Sequence, residues 1–158
     1  MRKLFLITAV LFTAFLLLSA GGCSRKSPAK TADMDKIADE IVQQVKFTDQ
    51  LSAINLKTVT KLYDLDSNSL VKAKVYESTG ATAEEVAAFE AKDEKAAEAV
   101  RSAASRRVED QKAAFQNYQP KEMAKLKTPL LVQKGKYVLL VVADDTAPAK
   151  DIADRFLS

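Results

Sequence analysis

The residue with the most defined chemistry in this sequence is Cys23, its only cysteine. Before it lie two basic residues, then the apolar run 4–18, and then the small residues 19–22. A charged start, an apolar middle and a small-residue end are the three parts of a secretory signal peptide. We therefore expect residues 1–22 to be a signal peptide that is removed from the mature protein.

The small residues before Cys23 resemble the lipobox, where signal peptidase II cuts before a cysteine whose thiol carries diacylglycerol. The motif prefers leucine three positions before the cysteine, where this sequence has Ala20, followed by Gly21 and Gly22. Two alternatives stay open. One is an ordinary signal peptide cut after Ala20, and the other is an uncleaved helix over residues 4–24, since about 20 apolar residues span a bilayer. The pattern favours lipidation of Cys23.

A lipidated Cys23 would hold the protein on the extracytoplasmic side of the cell membrane. One acyl chain binds a membrane only marginally, whereas the two chains of a diacylglyceryl group bind it stably. The residues that follow are rich in Ser, Pro, Lys and Ala and lack apolar periodicity, so we predict a disordered tether over 23–32. Residues 33–158 are predicted to form a single globular domain.

The charge balance limits the classes of partner. The sequence has 24 basic and 21 acidic residues, and residues 1–22 contain two of the basic ones and no acidic one. The chain from Cys23 onward is therefore nearly neutral, whereas nucleic-acid binding needs a dense basic face. We expect the membrane and a protein of the cell envelope as partners, and no nucleic acid.

The sequence contains few of the residue types and motifs on which catalysis commonly depends. The sequence contains no histidine and four glycines, of which two lie before Cys23. Histidine acid–base chemistry and a glycine-rich phosphate loop are therefore not available. We expect no cofactor, no metal site and no catalytic residue. A binding or interaction module is the favoured interpretation, and the alternative is a small envelope enzyme or a small-ligand-binding lipoprotein.

Acidic residues near the C terminus could supply oxygen ligands to calcium. They are Asp144, Asp145, Asp151 and Asp154. The alternative is that they cap the last helix and interact favourably with its dipole. We favour the second interpretation, because their spacing is not that of a calcium-binding loop.

Two further sets of side chains are candidates for binding. The first contains Arg106, Arg107, Glu84, Glu85 and Glu109. It could form an anion or partner site, although surface ion pairs are the favoured alternative. The second contains Tyr118 and Tyr137, which could form an aromatic binding patch, although packing against the domain is favoured.

Apolar periodicity predicts the elements that must position these side chains. Helical spacing predicts a first helix that starts after Asp33 or Asp35. It also predicts a long helix over 94–117 that ends before Pro120, and a last helix that starts near Pro148. Residues 47–58 are predicted to be a connector, and residues 59–63 are predicted to be a short helix or strand.

Alternating and apolar runs predict the strands. Residues 71–76 are predicted to form the first strand, and residues 85–91 the second, although a helix remains an alternative for 85–91. Residues 130–132 and 137–142 form a hairpin with Gly135 in its turn. The simplest arrangement is an α+β two-layer sandwich, with one long helix packed on a four-stranded, mostly antiparallel sheet of two hairpins.

The long helix is expected to supply one side of the core. Its predicted core residues are Val100, Ala104, Val108 and Phe115. Their predicted partners in the sheet are Val75, Val86, Phe89, Val138, Leu140 and Val142.

Three stretches carry a resemblance to a known family. They are residues 85–93, residues 135–145 and the end of the long helix with Arg107, Gln111, Phe115, Tyr118 and Pro120. Over residues 37–156 the chain resembles the DUF4358 family, small lipoproteins of unknown function encoded mainly by anaerobic Gram-positive bacteria. The resemblance implies a lipid-anchored extracytoplasmic protein, and it supplies no catalytic residue.

Overall fold

The computed structural model describes residues 31–157, so the predicted signal peptide and Cys23 lie outside the described residues. The helices are α1 (Met34–Gln44), α2 (Leu56–Tyr63), α3 (Glu94–Tyr118), α4 (Met123–Lys127) and α5 (Ala147–Leu157). The strands are β1 (Ser52–Ile54), β2 (Leu70–Glu77), β3 (Glu85–Ala91), β4 (Leu130–Lys134) and β5 (Tyr137–Val142). No helix within 31–157 is long and apolar enough to cross a membrane.

Side-chain caps fix where three of the helices begin. The Asp33 carboxylate accepts a hydrogen bond from the Asp35 N–H, as predicted for the start of α1. Asp93 accepts from the Ala96 N–H at 2.7 Å and starts α3. Asn55 starts α2 in the same way, so residues 59–63 are helical. Such a cap stabilises a helix by about 1 kcal/mol, because it satisfies an N–H that has no partner within the helix.

The strands form one sheet in the order β1-β2-β3-β5-β4, and every neighbouring pair is antiparallel. Both predicted hairpins are present, and residues 85–91 form a strand rather than a helix. In the β4–β5 turn Gly135 has φ +54°, a conformation that glycine adopts without strain. The α+β class is therefore confirmed.

The predicted number of four strands was wrong, because the sheet has a fifth, β1. It lies in the segment that was predicted to be a connector and pairs with Val75–Glu77 of β2. β1 spans 3 residues. A strand this short shows too few alternations to stand out from a loop in the sequence.

The two-layer arrangement was also wrong, because helices cover both faces of the sheet. One face packs against α2, α3 and α4, and the other packs against α1 and α5. All of β5 is buried as a result. The uninterrupted apolar run 138–142 is typical of a strand that is covered on both faces, whereas a strand with one wet face alternates.

The predicted core is largely confirmed. Val100, Ala104 and Val108 share a buried cluster with Val75, Phe89, Val138, Leu140 and Val142. Val86 is the exception: it lies on the opposite face with α1 and α5, since successive side chains of a strand alternate between faces. Phe115 is only half-buried at the edge of the cluster.

Candidate functional site

The buried charged side chains of the described domain gather where β3 begins. The loop 78–84 ends with Glu84 and β3 begins with Glu85, so two adjacent carboxylates lie there, both almost fully buried. We define the Glu85 cluster as Tyr63, Glu77, Glu85, Arg107 and Gln111. We define the Glu84 cluster as Thr48, Asp49, Thr82, Glu84, Glu122 and Lys125.

In the Glu85 cluster, donors from two helices meet one carboxylate. Arg107 of α3 donates to Glu85 Oε2 from Nε at 3.0 Å and from Nη2 at 2.8 Å. Gln111, one helical turn later, donates to the same oxygen at 3.0 Å. The Tyr63 hydroxyl of α2 donates to Oε1. The carboxylate thus joins β3, α2 and α3 through charge-assisted hydrogen bonds.

The charges of this cluster are set by burial and by Glu85. Burial acts to lower the pKa of Arg107, but the Glu85 carboxylate raises it above its usual value. Burial and the same negative charge raise the pKa of Tyr63 well above its usual value. The site therefore holds a permanent cation and a neutral phenol, and neither is prepared to exchange a proton near neutral pH.

The Glu84 cluster is built on a buried lysine of α4. Lys125 Nζ lies 2.9 Å from Glu84 Oε1 and 3.0 Å from Glu122 Oε2. Glu84 also accepts from the backbone N–H of Thr48 at 3.0 Å and of Asp49 at 2.9 Å. Burial acts to raise the pKa of Glu84, but the Thr48 N–H and the Lys125 ammonium lower it below its usual value.

The hydrogen-bonding capacity of both buried carboxylates is used by other residues of the domain. Glu84 and Glu85 each accept several hydrogen bonds, and each is paired with a buried or half-buried cation. A carboxylate that is committed in this way is a poor general base, since a proton would displace its existing donors. The clusters fasten the loops 46–50 and 78–84 to the helices.

A cleft of about 310 Å³ lies beside the Glu85 cluster. Its walls include Glu77, Thr79, Arg107, Asp110 and Phe115. Gln111 lines it too, and the Oε1 atom of this residue is buried without a hydrogen-bond partner among residues 31–157. This cleft could take a small polar ligand.

A larger cleft of about 650 Å³ separates the first half of α3 from β4. It is lined by Glu94, Glu98, Arg101, Leu131, Val132, Gln133 and Gly135. β4 is the last strand of the sheet and pairs only with β5 in the described part of the chain. We call this cleft, with the outer edge of the strand, the β4 groove.

The model of the family described as a domain of unknown function, DUF4358, matches residues 43–143. The chain belongs to the DUF4358 family. No curated protein and no solved structure matches it. The matched range of this DUF4358 protein includes both buried clusters and the β4 groove, whereas α5 lies beyond it.

The C-terminal acidic residues of this DUF4358 protein do not converge on one point. Asp145 accepts from the Ala147 N–H at 2.9 Å and caps α5, which confirms the capping interpretation for that residue. Asp154 pairs with Lys150 at 2.6 Å, and Asp144 lies 3.6 Å from Lys125 Nζ. Within residues 31–157, no group of three or more acidic side chains is placed to hold a metal ion.

The arginine and glutamate candidates separate into different pairs. Arg107 forms an ion pair with Glu85, but Glu85 is fully buried and Arg107 is half-buried, so the surface interpretation was wrong for this pair. Glu84 pairs with Lys125 instead. Glu109 pairs with Lys112 at 2.7 Å on the exposed side of α3, where the surface interpretation is confirmed.

The two candidate tyrosines also separate. Tyr137 is buried, and its hydroxyl accepts from the Ala32 N–H at 3.2 Å, so the packing interpretation is confirmed for it. Tyr118 is 69% exposed, with its ring 6.4 Å from that of Phe115, so the packing interpretation was wrong for it. They do not form one aromatic patch.

Sequence reasoning missed Lys125 and Glu122 altogether, as well as the roles of Tyr63 and Gln111. One signal was available for Gln111, since it follows Arg107 by four residues and so lies on the same face of the helix. Nothing comparable pointed to Lys125, which lies far from Glu84 in the sequence and meets it only through tertiary packing.

Proposed function

We propose that this DUF4358 protein is a lipid-anchored module on the extracytoplasmic side of the cell membrane that binds a protein partner. The anchor is supported by the signal-like residues 1–22 and by Cys23 after them. Two acyl chains on that cysteine suffice for stable attachment. The residues after Cys23 then serve as a spacer between the bilayer and the domain.

The open outer edge of β4 is the observation that carries the binding function. The buried carboxylates and their cations are committed inside the domain, so they offer little to a ligand. In contrast, an edge strand offers unpaired backbone N–H and C=O groups, and here a cleft of about 650 Å³ runs beside it. Such a surface suits a protein segment better than a small substrate.

A small-ligand-binding lipoprotein is the second candidate function. The cleft beside Arg107 supports it, because charged and aromatic groups are among the residues that line a space of about 310 Å³, and Gln111 Oε1 has no hydrogen-bond partner among residues 31–157. Its acidic lining of Glu77 and Asp110 would favour a ligand with an amine or hydroxyl groups over an anion.

Crosslinking in intact cells tests the proposed function. The wild-type chain is compared with Cys23→Ser, in which the thiol that accepts the lipid is replaced. We expect one envelope protein to be crosslinked to the wild-type chain and to be lost from the variant. Recovery of nothing but lipid-processing enzymes with the wild-type chain would contradict the proposal.

A further inference from the structure

The two exposed edges of the sheet differ in whether they are protected against pairing with another strand. Residues 70–74 of β2 extend past β1, which pairs only with 75–77. In its pairing with β3, this part of β2 has a register shift between Leu70 and Lys72. It also carries Lys72 and Lys74, which pair with acids of α1. Irregular register and lysine side chains are the devices by which proteins prevent another strand from pairing with an edge.

β4 has none of these devices along its apolar part. Its five residue pairs with β5 run without a register shift, from Leu130–Val141 to Lys134–Tyr137. Its first three residues are apolar, and its one charged side chain is Lys134, next to the turn. By the standard of β2, this edge is left open to another strand.

Backbone groups of two β4 residues point outward along this edge. Lys134 and Tyr137 close the two-residue turn, and the residues of such a closing pair form two backbone hydrogen bonds with each other. Along β4 from Lys134, residues whose backbone groups point towards β5 alternate with residues whose backbone groups point outward. Leu131 and Gln133 are therefore the outward residues. No backbone group among residues 31–157 pairs with them from outside the sheet.

The opposite wall of the β4 groove is formed by the first turns of α3 and carries two acids and one cation, Arg101. Glu94 and Glu98 are four residues apart, so they lie on one face of the helix, and both are exposed. Neither takes part in an ion pair with another residue of the described range. These two acids form a negative row beside the strand, and they outnumber Arg101, the one cation in the lining, so the wall keeps a net negative charge.

We propose that the β4 groove binds an extended segment of the partner protein, which joins the sheet beside β4 and sets a lysine or arginine against Glu94 and Glu98. This inference rests on the proposed function, since it names the surface and the chemistry of the partner. Backbone hydrogen bonds to Leu131 and Gln133 supply affinity, and the acidic row supplies selectivity.

A second copy of this chain fits the groove less well. If two β4 strands paired edge to edge, the side chains nearest α3 would be Leu131 and Gln133, because Leu131 packs on the α3 face and Gln133 is two residues away. Neither is a cation. A second copy would thus bring no cation from its β4 strand to the row of Glu94 and Glu98, whereas a basic partner segment would, so charge complementarity favours the basic segment.

Selection of random linear peptides against the purified full-length chain tests the inference. We expect enriched peptides to alternate apolar residues with a lysine or arginine. Gln133→Pro should lower their affinity by at least about tenfold, because it removes an outward N–H without breaking a bond to β5. Glu94→Gln with Glu98→Gln should weaken the basic peptides selectively, and Glu109→Gln on the same helix is the matched control.

Several results would overturn the inference. The first is that the selection enriches no peptide. The second is that the enriched peptides bind Gln133→Pro as tightly as they bind the wild type. The third is that the basic peptides bind the Glu94→Gln, Glu98→Gln double variant as tightly as they bind the wild type. A dimer that Gln133→Pro dissolves, without peptide enrichment, would assign the groove to a second copy. Should the proline variant not fold, Gln133→Lys replaces it, since an edge lysine repels a basic strand.

The same variants separate this inference from the proposed function. If Gln133→Pro still crosslinks the envelope partner in cells, partner binding stands and the β4 groove is the wrong surface. If peptides bind the groove but no envelope protein is crosslinked to the wild-type chain, the groove chemistry stands and the proposed function fails.

Discussion

At the scale of single residues, the chain places two acids side by side and neutralises each with a different cation. Glu85 is held by Arg107 of α3, and Glu84 is held by Lys125 of α4. A buried pair adds little net stability when both partners are present, because desolvation opposes their attraction. Removal of one partner is different, since it leaves a buried charge without compensation.

Arg107→Met is therefore expected to lower the free energy of unfolding by about 3–5 kcal/mol. The variant keeps an apolar side chain of similar length but leaves the fully buried Glu85 carboxylate without its cation. Urea denaturation of the two proteins measures the difference. Arg106→Met is the matched control, because Arg106 is the exposed neighbour, and its change should stay within about 0.5 kcal/mol. Equal effects of the two substitutions would contradict a buried pair.

Acid sensitivity is expected to depend on Glu84. Its pKa is lowered in the fold by the Thr48 N–H and Lys125 against the effect of burial, so the unfolded chain binds the proton more readily. Glu84 thus stabilises the domain above its usual pKa of 4.5, and this contribution is lost as the pH falls through the lower, folded pKa. Glu84→Gln should make the free energy of unfolding fall less steeply with acid.

Glu77 provides a control, because its pKa shift has the opposite sign to that of Glu84. Burial and the Glu85 charge raise its pKa in the fold, against the effect of Arg107. Its contribution is therefore present at low pH and is lost as the pH rises through the folded pKa. Glu77→Gln should leave a steeper loss of stability in acid than the wild type shows. Denaturation at pH values from about 7 to 3 compares the three proteins, and parallel curves would contradict both assignments.

At the scale of elements, α3 has a buried first part and a half-exposed end. Its residues Val100 and Ala104 lie in the core, whereas Phe115 lies at the margin and Tyr118 is exposed. α3 has 25 residues and is about 37 Å long, whereas the longest strand, β2, has 8 residues and is about 27 Å long, so the last turns of the helix extend past the core. This is why the sequence overestimated the burial of Phe115.

Phe89→Ala is expected to cost about 3–5 kcal/mol of unfolding free energy, since this ring is fully buried and meets Tyr63 edge-on at 5.1 Å. Phe115→Ala should cost about half as much, because part of its surface already faces solvent. Thermal or urea unfolding gives both values. An equal cost would show that Phe115 is as well packed as Phe89.

At the scale of the whole molecule, the proposed attachment to the membrane would depend on one atom, the sulfur of Cys23. Cys23→Ser should abolish lipidation, because the serine hydroxyl does not replace the thiol that accepts diacylglycerol. We expect the wild-type protein to partition into the detergent-rich phase and the variant to leave it. Mass spectrometry of the wild-type N terminus decides the case. A mature chain that starts at Gly21 with an unmodified Cys23, or an intact Met1, would contradict the lipoprotein interpretation.

The sequence by itself determined the local elements of this protein. Asp33 or Asp35 was predicted to start α1, and the structure has Asp33 there. Asp93 marked the start of α3, Pro120 marked its end, and Gly135 marked the turn of the second hairpin. These features depend on neighbouring residues, such as a cap that meets an N–H two or three positions later. Periodicity then gave the α+β class, because it reports which side of each element is apolar.

Only the tertiary structure decided which side chains meet. The pairs Glu84–Lys125 and Glu85–Arg107 join elements that are far apart in the sequence, and no periodic pattern records which acid selects which cation. The second helical layer, formed by α1 and α5, was likewise decided by tertiary packing. The uninterrupted apolar run of β5 is the one sequence feature that indicates a strand covered on both faces. Local preferences act between near neighbours, whereas burial and charge pairing act between surfaces that exist only after the chain has folded.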